Sequence, residues 1–160
     1  MTDDELRVAN LIRSAFEGVT LGNGVGLMQA QGLDDYLSHE VLDEYRLQDE
    51  KEDWTAISAE KLNRCHSSLS FFDPEGMRFH LPAFLIGDLD GTFDFGVVFR
   101  LTYTSAQSKS DFSLFTATQR MAIREYLMLR LADPQYDFEH DLIERSLARD
   151  WPEPSMKDNS

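Results

Sequence analysis

Val8, Leu11, Ile12, Ala15 and Phe16 recur at three- and four-residue intervals behind Thr2 and Glu5, a pair that can cap each other's backbone N–H groups. The spacing predicts a helix over 3–17, closed by Gly18. Thr116 and Gln119 form a second pair of the same kind. They open the stripe Gln119, Ala122, Ile123, Tyr126, Leu127 and Leu131, which predicts a helix over 117–132 that stops at Asp133-Pro134. Phe138, Leu142, Ile143 and Leu147 predict a last helix ending at Arg149. Between these, Gly22, Gly24 and Gly26 predict a connector. Leu33, Tyr36, Leu37, Val41, Leu42 and Tyr45 then mark a thin stripe over 33–53, read as one helix or as two broken near Ser38. Trp54 and Ile57 should enter the core, with Ser58 capping a short helix over 59–65.

The middle of the chain changes period. Met77, Phe79 and Leu81 alternate with Arg78 and His80, as on a half-buried strand. The preceding Asp73-Pro74-Glu75-Gly76 suits a type I turn at every position. A β-hairpin over 68–81 is therefore expected, with Pro82 opening a helix to about residue 88. A third strand over 95–103, rich in valine and aromatics, would join it. The predicted fold class is α+β: a helix-rich single domain over 1–150 with a small antiparallel sheet, followed by a frayed acidic tail over 151–160.

The chain has 29 acidic and 15 basic residues, a formal charge of −14, and 42% apolar residues, too many for a disordered chain. The negative field disfavours nucleic acid, and no apolar run is long enough to span a membrane. Residues 34–53 alone hold nine acids against Arg46 and Lys51, so most of those carboxylates must face water. Asp43, Glu44 and Glu50 mark this block as a candidate surface for a basic protein partner. Cys65 is the single cysteine and allows no intrachain disulfide. The acidic start Met1-Thr2-Asp3-Asp4-Glu5 has the wrong sign for a signal peptide, so the cytoplasm is the expected compartment.

Signatures of chemistry are missing. The three glycines do not complete G-x-G-x-x-G, no G-x-S-x-G occurs, and the four histidines form no H-E-x-x-H. The adjacent Cys65 and His66 diverge on any regular element, so no metal and no cofactor is expected. Asp88-Leu89-Asp90-Gly91 lacks the later glycine and glutamate of a calcium loop. On the expected hairpin, Arg78 and His80 would share a strand face beside Glu75, the one constellation that could form a site.

The runs Asp53-Trp54-Thr55-Ala56-Ile57 and Phe71-Phe72-Asp73-Pro74-Glu75-Gly76 on to Phe84-Leu85 are joined by Phe115-Thr116, Gln119, Ala122-Ile123 and Tyr126-Leu127. In this order they resemble an uncharacterised bacterial family, a domain of unknown function, over 11–127. The resemblance implies a bacterial cytosolic single domain and supplies no activity, ligand or cofactor. His80 stands where the family would carry tyrosine. With no catalytic signature, the chain reads as a small acidic binding or interaction module, in one version an immunity-type protein covering a basic partner. The alternative is an enzyme of unrecognised type acting through Glu75, Arg78 and His80.

Overall fold

The computed structural model describes residues 1–103 and 105–153. Among them there is no strand. The chain forms α1 (Asp3–Ala15), α2 (Leu27–Asp34), α3 (His39–Gln48), α4 (Ala59–Arg64), α5 (Pro74–Asp90), α6 (Val98–Thr102), α7 (Ala106–Asp111), α8 (Ala117–Leu131) and α9 (His140–Arg149). Three 3-10 turns intervene, at Trp54–Ala56, His66–Ser70 and Pro134–Glu139. No helix among the described residues is long and apolar enough to cross a membrane.

The local capping rules hold where they applied. Thr2 and Glu5 cap α1 reciprocally, Ser38 caps α3, Ser58 caps α4, and Thr116 with Gln119 caps α8. Gln119 is buried, and its amide also donates to the Ala15 carbonyl at 3.2 Å, tying the start of α8 to the end of α1.

The α+β expectation is overturned. Asp73-Pro74-Glu75-Gly76 opens α5: Asp73 Oδ1 accepts from Gly76 N at 2.9 Å and Pro74 takes the first helical position. A type I turn and the first turn of a helix share backbone angles and residue preferences, so this tetrapeptide fits both. The alternation that favoured a strand has a different cause. Eleven of the seventeen residues of α5 are buried, on every side of the helix, so no single apolar stripe exists to show a helical period. Pro82, expected at a helix start, lies inside α5, and Gly91 closes the helix at φ +78°.

Residues 68–72 belong to a 3-10 turn and its exit, and the expected third strand over 95–103 contains α6. There Val98 and Leu101 are buried, and α9 packs against them. Tertiary packing overrides the β propensity of this run.

Helix α5 is the axis of the molecule. It touches α1, α4, α7 and the Trp54 turn, while α8 packs on α1 and carries α9. Trp54, Phe79, Phe84, Ile123 and Leu127 all lie in the apolar cluster, Phe79 as part of a helix and not of the expected strand. Phe138, placed in the last stripe, is fully exposed; Ile143 and Leu147 are buried. Trp151 is buried as well, and its indole N–H donates to the Leu101 carbonyl at 3.0 Å. Residues 154–160 of the expected tail lie outside the described residues.

Candidate functional site

The helix takes His80 out of the expected site, while Glu75 and Arg78, three residues apart, stay on one side of α5. Residues two apart are rotated by about 200° on an α-helix, so the spacing that aligns Arg78 with His80 on a strand turns them to opposite sides here. His80 is 0% exposed, stacked flat on Phe72 with ring centroids 4.3 Å apart. Its Nδ1–H donates to the Gly76 carbonyl at 2.7 Å, which fixes the tautomer because a carbonyl can only accept. Burial pushes its pKa down to about 4, so the ring is neutral near pH 7 and out of reach of a substrate. Arg78 is half-buried and extends from the other side of α5.

Glu75 does structural work instead. Its Oε2 accepts from Asn23 N at 3.0 Å, while Asp73 Oδ1 accepts from Val25 N at 2.9 Å. From the other side Arg46 Nη2 donates to Gly22 O at 2.8 Å and Nε to Gly24 O at 3.1 Å. The glycine connector is thus clasped between α3 and α5. Glycine is required by proximity: a Cβ on Gly24 would lie 2.7 Å from Gly76 N, and one on Gly26 would lie 2.2 Å from Asp49 Oδ2. Asp49 is buried and accepts from Met28 N at 2.8 Å and Gln29 N at 3.1 Å, capping α2 from twenty residues away. Burial raises its pKa, opposed by those two backbone bonds.

Cys65 is buried, and burial pushes its thiol up to about 11, far from a reactive thiolate. A buried ion pair joins Arg130 to Asp88 at 2.9 Å. The Tyr126 hydroxyl donates to the same carboxylate, so this network locks α8 onto the end of α5. His140, Asp141 and Glu144 can each bring one ligand atom within 4.8 Å of the others, on the exposed side of α9.

The acidic block has the opposite character. Asp35, Glu40, Asp43, Glu44, Glu52 and Asp53 are exposed, and none of the nine carboxylates of 34–53 forms an ion pair among the described residues. Glu50 differs from Asp43 and Glu44, because its Oε2 accepts from Lys51 N at 3.0 Å and its side chain is half-buried. The two bases of the block bond to backbone carbonyls instead of to its carboxylates. Arg46 holds the connector, and Lys51 Nζ donates to the carbonyls of Asp49 at 2.8 Å and Leu47 at 3.2 Å.

A further surface was not anticipated from the chain. Phe99, Thr102 and Tyr103 line a hollow of about 220 Å³ together with Leu142, Arg145 and Arg149 of α9. Its two walls lie far apart in the chain, at 99–103 and 142–149, and the apparent strand period of 95–103 concealed the helical register that places Phe99 beside Tyr103.

No curated protein and no solved structure matches this chain. One family model does, over residues 4–154, so the protein belongs to a family of unknown function, DUF6714.

Proposed function

We propose that this protein is a binding module whose acidic face, built by α3 and its flanking loops, docks a cationic protein partner. The observation that carries the reading is the fate of Arg46 and Lys51: both donate to backbone carbonyls, and none of the surrounding carboxylates has an ion-pair partner among the described residues. A face of this kind accelerates encounter with a basic surface and holds it most strongly at low ionic strength. Covering the cationic active surface of another protein, as an immunity-type protein does, is one use of such a face. Chemistry at Glu75, Arg78 and His80 has no comparable support, since His80 is enclosed and Glu75 fastens a loop.

The test is kinetic. A partner isolated by capture at low salt should associate about tenfold faster at about 0.05 M than at about 0.5 M salt, where the Debye length contracts to a few ångströms. The triple variant Glu40→Lys, Asp43→Lys, Glu44→Lys should lose most of that advantage while keeping the wild-type urea midpoint. Glu50 is left intact because its carboxylate is tied to the backbone. An on-rate that is the same for wild type and variant at low salt would reduce the face to a solubility feature.

A further inference from the structure

We propose that the hollow between α6 and α9 docks an acidic segment of a partner protein, one that presents a leucine or aromatic side chain flanked by carboxylates. This surface is separate from the acidic face and does not depend on that reading.

The apolar half of the site comes from α6. Val98 and Leu101 face inward, which leaves Phe99 and Tyr103, four residues apart, on the outer side at 68% and 58% exposure. Their rings stack with centroids 5.6 Å apart, and Leu142, 46% exposed, adds to the lining from α9. Exposed aromatics gathered around a concavity suit an inserted side chain better than open water.

The polar half comes from cations. Leu142, Arg145 and Arg149 follow one face of α9, and Arg149 also lines an adjoining hollow of about 160 Å³ with Lys109, Phe112, Arg120 and Asp150. Arg149 pairs with Asp150 at 3.2 Å, and Arg120 donates to the Phe112 carbonyl at 2.6 Å while lying over the Trp151 ring. No carboxylate among the described residues pairs with Arg145 or Lys109, both of which are exposed. Arg145 in this hollow and Lys109 in the adjoining one, without a carboxylate partner among the described residues, mark a place where negative charge from outside is favoured.

Charge complementarity therefore selects carboxylates next to a bulky apolar group. A long polyphosphate would meet the same cations against the repulsion of the whole −14 chain, whereas a short acidic segment engages them locally.

The experiment is selection from a displayed library of random peptides on the immobilised protein, followed by titration of the winning sequences as labelled synthetic peptides. Sequences with Leu, Phe or Trp flanked by Asp or Glu should be enriched. The winning peptide should bind at least about tenfold more weakly to Arg145→Glu, Lys109→Glu and to Phe99→Ala, and more weakly at high salt. All three positions are exposed, so unchanged urea midpoints would show that the variants fold. Enrichment of neutral or basic sequences, or equal binding by the variants, would overturn the proposal. So would a single-stranded polyribonucleotide that binds the hollow as tightly as the peptide. Concentration-dependent self-association abolished by the same substitutions would also overturn it, because the occupant would then be a second copy of this chain.

Discussion

The carboxylates of Asp73 and Glu75 and those of Asp43 and Glu44 are chemically alike and end in opposite circumstances. The first pair accepts hydrogen bonds from Val25 and Asn23, while the second pair is exposed and forms no ion pair among the described residues. The difference lies in what approaches each helix. Against α5 comes a glycine connector whose N–H groups need acceptors; Asp43 and Glu44 on α3 meet no donor among the described residues. A short acidic motif beside a glycine thus became a clasp, and the larger acidic block remained available for recognition. Residue type alone did not distinguish them.

The sharpest way to break this contrast is at the clasp. Gly26→Ala would drive a methyl into Asp49, the side chain that caps α2, so destabilisation of about 3 kcal/mol or more is expected from urea denaturation. A midpoint close to wild type would show that Asp49 can withdraw at little cost.

Burial of His80 gives the next largest effect. The group is depressed from 6.5 to about 4, so its contribution is present in full above about pH 6.5 and is lost as the pH falls toward 4. The loss is about 3 kcal/mol. Urea midpoints collected across this window should show a gap between wild type and His80→Phe that changes with pH and is constant above it. A pH-independent gap would contradict the enclosed ring. Asp49 has the opposite sign, because burial raises its carboxyl: protonation favours the folded state, and this contribution weakens as the pH rises through the folded value.

Removing the remote cap is a smaller perturbation. Asp49→Ala leaves the Met28 and Gln29 amides without their acceptor and should cost about 2 kcal/mol. Asp43→Lys with Glu44→Lys should change stability by no more than about 0.5 kcal/mol, since neither side chain is buried or paired. A large effect there would erase the distinction between the two kinds of carboxylate.

How far the chain could be read depended on the distance between cause and effect. Helices α1, α4 and α8 carry their caps within a few residues, at Thr2, Ser58 and Thr116, and were legible; Ser38, which caps α3, was read only as a possible break in a helix over 33–53. Helix α2 takes its cap for the Met28 and Gln29 amides from Asp49, far along the chain; its one local signal, Gln29 three residues after Gly26 and accepting from the Gly26 amide at 2.9 Å, went unread. Helix α5 was misread because burial on all sides removed the stripe and because Asp73-Pro74 serves a turn and a helix start equally well. The acidic block was visible as a count of charges. That Arg46 and Lys51 would bond to carbonyls instead of to its carboxylates, and that Phe99 would line one hollow with Arg145, depend on packing between distant segments.

The clasp also changes how the connector should respond to enzymes and to heavy water. A stretch with glycine at 22, 24 and 26 would ordinarily be the first place to open, giving a protease an extended segment and exchanging its amide hydrogens freely. Here the amides of Asn23 and Val25 are held by α5, that of Gly24 by Leu21 O, and the carbonyls of Gly22 and Gly24 by Arg46. Opening this loop requires α3 and α5 to release it together, so its amides exchange with the helices rather than ahead of them.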